Sequence, residues 1–213
     1  MKGLYLDGEV RAAWINGGDC RMKHRLFLFD DVKLLGNHNI ENTAMALGAL
    51  ALFNIMDVPP SVIGSYVPPK HRCAFAGKVR GVTFVDDSKG TNVAATVTAM
   101  TSLPGTKVII LGGQGKGEDY APLAEAVREN THAAVLLGSE REKIAAALSA
   151  AGVTDYKIAA DMEEAVKTAY GLAAEGDTVL LSPACTSWDM YPSYNVRGDH
   201  FCAIVKEIIA SEE

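Results

Sequence analysis

The sequence predicts an α/β fold: a doubly wound, mostly parallel Rossmann-like sheet preceded by a shorter, partial α/β segment. From residue 77 onward, short apolar runs alternate with helical patterns, the signature of βαβ units. Runs such as Val108–Leu111 are continuously apolar, as expected of strands covered on both faces. Pro68-Pro69 punctuates the chain where a helix cannot continue, and divides it into residues 1–69 and 70–213.

The first segment opens with β patterns. In "GLYLDGEVRAAW" the Asp7-Gly8 pair between apolar flanks predicts a hairpin with a type I′ turn. "HRLFLFD" predicts a strand with Leu26, Leu28 and Asp30 on one face and Phe27 and Phe29 on the other. "NIENTAMALGALALFNIM" has helical spacing, with Asn39 as its N-cap and an end before Asp57-Val58-Pro59-Pro60. A short helix in "PPSVIGSYVPP" then closes at the double proline. These elements make a thin core, which predicts the tail of a larger domain whose beginning lies outside this sequence.

Beyond the prolines, Gly77–Val79 is expected to pair with Val82–Asp86 across Arg80-Gly81. Further strands are predicted in "KVIILGG", "AAVLLG", "YKIAA" and "DTVLLSP". Helices are predicted over Asn92–Ser102, Ala121–Asn130, Glu140–Ala151, Met162–Ala174 and Asp199–Ile209.

Composition narrows the function classes. The chain of 213 residues is 48% hydrophobic and carries a net charge of −6, which argues against a general nucleic-acid binder. Cys20, Cys73, Cys185 and Cys202 are far apart and form no CxxC pair. They fit reduced thiols in a cytoplasmic protein and suggest no metal site. No apolar run approaches the ~20 residues of a membrane span, and Asp7 and Glu9 interrupt any leader-like stretch.

The chemistry gathers in three polar loops that follow strands: "DDSKGTN" at 86–92, "GGQGKG" at 112–117 and "SPACTS" at 182–187. In a parallel sheet all three lie on the carboxyl edge, where open α/β folds bind ligands. The glycine loop is not a phosphate-cradling P-loop, because Gly117 stands where Ser or Thr should follow the lysine. Lys116 reads either as a site cation or as a solvated surface lysine. Thr186 and Ser187 read either as anion donors at a helix start or as an ordinary N-cap. No G-x-S-x-G elbow surrounds Ser187, which argues against a nucleophile. His71-Arg72 is either a hinge contact or an anion ligand.

In this order the pieces resemble the Mur ligases, the ATP-dependent amino-acid ligases of peptidoglycan synthesis. "GNHNIENTAMALGALAL" is similar to their Gly-x-His-Asn-x-x-Asn helix start, and "KHRCAF" to a Pro-His-Arg segment. "DDSKGTN" resembles Asn-Asp-Ser-Lys-Ala-Thr-Asn, and "LGGQGKGEDY" the Gly-Gly-x-x-Lys loop. "LLSPACTSWDMYPSYNVRGDHF" resembles the Ser-Pro-Ala-Cys signature. The Asp-Ser-Lys and Ser-Pro-Ala-Cys loops together point to the D-glutamate-adding branch. Asp86 for Asn, Gly90 and Thr186 for Ala, and Tyr191 and Tyr194 for Phe are the departures. The sequence contains no Gly-Thr-x-Gly-Lys-Thr loop, and with it are missing the metal ligands of the family's central domain.

The resemblance implies that residues 1–69 end a central ATPase domain and that 70–213 form the domain that binds the incoming amino acid. It implies ATP and Mg2+ as cofactors, with UDP-N-acetylmuramoyl-L-alanine and D-glutamate as substrates. It assigns Asn39, Asn42, Arg72 and Asp87 to the nucleotide. Lys89, Thr91, Lys116, Ser187 and Tyr194 are assigned to orienting D-glutamate, with Lys89 nearest the chemistry. The expected role is positioning and electrostatics rather than acid–base work, and this chain alone is expected to be inactive. A binding module without chemistry is the alternative; it would need a self-sufficient first 69 residues. A nicotinamide oxidoreductase is disfavoured, because Leu136-Leu137-Gly138 stand where its acidic residue should be.

Overall fold

The computed structural model describes residues 4–16 and 23–212, so Cys20 lies outside the described residues. The chain divides into two compact units, Met1–Pro68 and Pro69–Glu213.

Unit 1 is a three-stranded antiparallel sheet of β1 (Leu4–Asp7), β2 (Ala12–Asn16) and β3 (Lys23–Leu28). A 3-10 turn at Phe29–Asp31 follows, then α1 (His38–Leu52) and the short α2 (Pro60–Gly64). Ala13, Ile15, Leu26 and Phe27 of the sheet bury against Ala44, Leu47 and Ala51 of α1, one helical face against one sheet face.

Three local expectations are corrected here. The hairpin is not a two-residue type I′ turn, because Asp7 pairs with Ala12 and four residues span the turn. The Asp7 carboxylate accepts from the backbone N–H groups of Glu9 and Val10 at 3.1 and 3.0 Å, and the left-handed residue is Arg11 (φ 52°). That side-chain bond holds a longer loop as well as a primed turn would. Leu26 and Phe27 do not alternate, since both are buried and the register slips one residue opposite Ala13/Trp14. This bulge turns two consecutive side chains inward. Asn39 lies inside α1 rather than capping it, and its amide donates to Leu35 O at 2.7 Å.

Unit 2 holds a six-stranded sheet in the order β4-β5-β9-β6-β7-β8. The strands are β4 (Ala74–Val79), β5 (Val82–Asp86), β6 (Lys107–Gly112), β7 (Thr131–Leu137), β8 (Tyr156–Ile158) and β9 (Thr178–Leu181). The β4–β5 pair is antiparallel and the remaining pairings are parallel. Every residue of β6 is buried, which explains its unbroken apolar pattern. The helices are α3 (Val93–Ser102), α4 (Ala121–Asn130), α5 (Arg141–Ala150), α6 (Met162–Leu172) and α7 (Tyr194–Glu212). Met100, Leu123 and Ile144 from α3, α4 and α5 pack on Ile109, Leu111 and Leu136 of one face. Val166 and Phe201 from α6 and α7 pack on Phe84, Ile110 and Val179 of the other.

The sequence places the last helix at Asp199, but α7 starts at Tyr194. Its first turn contains Asn195, Val196 and Gly198, which are poor helix formers, and burial of Arg197 in that turn overrides their propensity.

The topology sets the site. Strand β9 lies between β5 and β6, and all three run parallel. The helices that follow β5 and β6 cover one face, whereas the helix that follows β9 covers the other. A crevice therefore opens at the carboxyl ends on both sides of β9, the topological switch point of an open sheet.

Candidate functional site

The three polar loops leave β5, β6 and β9, so they are spatial neighbours, and hydrogen bonds knit them together. The loops after β6 and β9 join through an isolated bridge in which Gln114 N donates to Thr186 O (3.0 Å) and Thr186 N to Gln114 O (2.9 Å). Gly113 permits this approach: with φ at 132°, an added Cβ would stand 2.2 Å from Thr186 O. The loops after β5 and β9 join through Ala184 N, which donates to Gly90 O at 2.9 Å. At Gly90 the packing is tight, since a Cβ would meet Asp87 Oδ2 at 2.5 Å and Ser182 Oγ at 2.6 Å unless those side chains shifted.

Arg197 is the central tie, and sequence reasoning missed it. It is 1% exposed; Nε donates to Ser88 Oγ at 2.9 Å and Nη2 to Ser88 O at 2.8 Å. Both terminal nitrogens also donate to Cys185 O, at 3.2 and 3.1 Å. The guanidinium thus spans the Asp-Ser-Lys and Ser-Pro-Ala-Cys loops as a rigid fork. Burial pushes its pKa down to about 10, so it remains a cation at neutral pH.

His71 and Asp86 form a second buried tie, with His71 Nδ1 2.6 Å from Asp86 Oδ2 and both side chains almost fully enclosed. The Asp86 carboxylate also accepts from Ser88 N at 2.9 Å and from the Cys202 thiol at 3.4 Å. His71 O accepts from Lys89 N at 3.0 Å, linking the two segments through the backbone as well. The Arg80-Gly81 hairpin was the signal for this pair: extending its register sets Ala74 opposite Asp86 and brings His71 alongside.

Arg72 is exposed between two buried residues held at positive φ, His71 (63°) and Cys73 (44°). Such backbone costs on the order of 1 kcal/mol or more per residue and persists where its surroundings over-determine it. The surroundings here are the His71–Asp86 pair and Cys73 N, which donates to Asp87 Oδ1 at 3.2 Å. The corner presents Arg72 to solvent. Asp87 faces inward at 5% exposure, and its other oxygen accepts from Ser182 Oγ at 2.6 Å. Burial outweighs these hydrogen bonds and raises its pKa to about 6.

Lys89 Nζ sits 5.5 Å from the centre of the Tyr194 ring, a cation–π distance, and Tyr194 O accepts from Ser88 Oγ at 2.8 Å. Lys116 is exposed, donates to Thr91 Oγ1 at 3.1 Å and forms no ion pair among the described residues. Ser187 Oγ is buried and finds no partner among the described residues. An orphaned hydroxyl of this kind costs about 1–3 kcal/mol and calls for a reason. Lys89, Thr91, Lys116 and Ser187 therefore belong to one connected set of loops, and Tyr194 joins them from the start of α7. Asn39 and Asn42 belong to unit 1, on α1, where Asn42 Nδ2 donates to Asn39 Oδ1 at 3.3 Å. Among the described residues, no group of three His, Cys, Asp or Glu side chains is placed to hold a metal, and no helix is long and apolar enough to cross a membrane.

Residues 71–185 match the family described as Mur ligase, glutamate ligase domain. The chain is 43% identical over 195 residues to a UDP-N-acetylmuramoylalanine–D-glutamate ligase of Bordetella avium, covering 90% of this chain and 37% of that protein. It is 39% identical over 183 residues to the protein of that name from Caldicellulosiruptor saccharolyticus, covering 84% and 40%. It therefore spans well under half the length of these relatives. In fold it is similar to UDP-N-acetylmuramate-alanine ligase from Thermotoga maritima (TM-score 0.63, 13% identity, 97% of this chain and 45% of that one). It is likewise similar to Mycobacterium tuberculosis folylpolyglutamate synthase complexed with ADP (TM-score 0.63, 15% identity, 93% and 46%).

Proposed function

The chain belongs to the Mur ligase family, and we propose that it is part of a ligase that adds D-glutamate to UDP-N-acetylmuramoyl-L-alanine in peptidoglycan synthesis. Unit 2 is the domain that receives the amino acid, and residues 1–69 are the end of the ATPase domain. The setting is cytoplasmic. The observation that carries this reading is the meeting of three loops at the switch point. There an ammonium with no ion pair and a serine hydroxyl with no partner among the described residues, together with a threonine hydroxyl, stand on loops tied to one another by the buried Arg197 and Ala184 contacts.

In the ligation, ATP phosphorylates the substrate carboxylate, and the amine of D-glutamate then displaces phosphate from the acyl phosphate. The residues of unit 2 contribute position and charge to the second step. Lys116 offsets one carboxylate of D-glutamate, while Thr91 and Ser187 supply hydrogen bonds. Lys89, steadied by the Tyr194 ring, offsets charge that develops near the reacting carbonyl. Arg72, exposed at its corner, is assigned to the ribose or a phosphate of the nucleotide. Asp87 would have to turn away from Ser182 to reach the ribose. Asn39 and Asn42, on unit 1, are assigned to the nucleotide, with Asn42 as the contact to the base. Mg2+ would be held by residues of the P-loop part of the family's ATPase domain and would offset phosphate charge. Without that part, the chain alone forms no amide bond.

Kinetics test this reading in a full-length ligase that contains this segment. Lys116→Ala should raise the apparent KM for D-glutamate about thirtyfold, the equivalent of roughly 2 kcal/mol for a desolvated charge contact. The KM for ATP should change little. A defect confined to ATP would contradict the assignment.

A further inference from the structure

We propose that Glu118 is a positioning residue for Lys116: its carboxylate clamps the glycine loop to the first turn of α3 and leaves the ammonium free for a ligand acid. This rests on the reading of Lys116 given above. The loop between β6 and α4 has an anchor on each side of the lysine. On one side Gln114 shares its two backbone hydrogen bonds with Thr186. On the other, Glu118 Oε2 accepts from Val93 N at 2.8 Å. Lys116 stands midway, two residues from each anchor and flanked by Gly115 and Gly117. With a glycine on either side, the local backbone has little stiffness of its own. The anchors must supply it.

The placement of charge supports the same role. A glutamate two residues from a lysine is a natural ion-pair partner, yet Glu118 is held instead at the positive end of α3. Asn92 Oδ1 accepts from Ala95 N in that same turn, so the helix start is satisfied by the chain's own groups. The Lys116 ammonium meets Thr91 Oγ1 and no carboxylate among the described residues. Thr91 immediately precedes the capping residue of α3, so the clamp draws Lys116 and its hydroxyl partner to one spot. Glu118 fixes the loop and is itself kept from neutralising the lysine.

The test is a double-mutant cycle on this chain, read by calorimetric titration with D-glutamate and by the 13C NMR signal of reductively methylated Lys116. Glu118→Ala should weaken binding about tenfold, the scale of one hydrogen bond to a charged group, whereas Glu118→Gln should stay within about twofold because its amide oxygen still accepts from Val93. Added to Lys116→Ala, Glu118→Ala should cost nothing further, as expected if one residue acts through the other. The Lys116 signal of Glu118→Ala should move to that of a freely solvated lysine. Undiminished binding by Glu118→Ala, or losses that simply add, would overturn the proposal while leaving Lys116 as the acid ligand. If Lys116→Ala binds like the unmodified sequence, or if no variant binds, the D-glutamate reading fails instead. The clamp is then decided by the NMR signal alone: a shift in Glu118→Ala supports it and an unchanged position refutes it.

Discussion

The two units treat their buried polar atoms in opposite ways. In unit 1 the buried Tyr5 Oη, Trp14 Nε1 and Asn16 Oδ1 have no hydrogen-bond partner among the described residues. Large apolar side chains also stand exposed there, Phe53 at 78% and Val67 at 81% among them. In unit 2 Asp86, Asp87, Ser88, Thr96, Ser182 and Arg197 are all buried, and each is hydrogen-bonded. The orphan atom found in unit 2, Ser187 Oγ, lies in the proposed site. Satisfied networks specify one arrangement, whereas unsatisfied ones do not. Unit 2 thus holds its three polar loops through a satisfied buried network, and the unmet hydroxyl among the described residues of unit 2 lies in one of those loops.

The largest effect should come from cutting the central tie. Arg197→Ala leaves Ser88 O and Cys185 O without the donors they have now and should cost about 2–6 kcal/mol in unit 2, at roughly 1–3 kcal/mol for each buried acceptor left unsatisfied. Arg197→Lys should recover only part, because an ammonium cannot fork between both loops. Chemical denaturation reads both. A loss under about 1 kcal/mol would show that apolar packing alone sets the loops.

The contrast between the units can be read directly by native-state hydrogen exchange. Amides of β6 and β9 should open only with the whole of unit 2. Those of β1 and β2 should exchange with an opening free energy lower by roughly 3 kcal/mol, since local stability follows buried contacts. Equal protection would erase the distinction.

A further effect concerns pH. The Asp87 carboxyl rises from 3.8 to about 6 on folding because burial disfavours its charge. The fold therefore keeps a proton that the unfolded chain releases, and stability falls as pH climbs from about 4 to about 6. The cost is fully present above that window. Asp87→Asn should remove this pH-dependent loss, on the order of 3 kcal/mol, and gain most near neutral pH. A pH profile parallel to that of the unmodified chain would place the titration elsewhere.

The parts of unit 2 legible in the sequence are those governed by continuous apolar runs. Val108–Leu111 announces β6, and Ala121–Asn130 coincides with α4. What stayed hidden depends on contacts between distant residues. Arg197, in a Tyr-Asn-Val-Arg-Gly string, looks like surface charge until 109 residues of separation from Ser88 close up. His71 is nondescript until a hairpin sets it against Asp86. The Leu26 bulge is invisible because alternation is read one strand at a time. Glu118 reads as one more loop charge, since the loop and the start of α3 come together only through the order of β5, β9 and β6. The three loops themselves were readable, because strand-end polarity in a parallel sheet has few other uses.

The most direct test of a single acid site at the switch point is backbone NMR of this chain titrated with D-glutamate. Shifts should concentrate at Thr91, at Gly115, Lys116 and Gly117, and at Ser187 and Trp188, with unit 1 unmoved and L-glutamate weaker. Shifts centred on α1 around Asn39 and Asn42, or at the opposite edge of the sheet near Lys107 and Thr178, would contradict it.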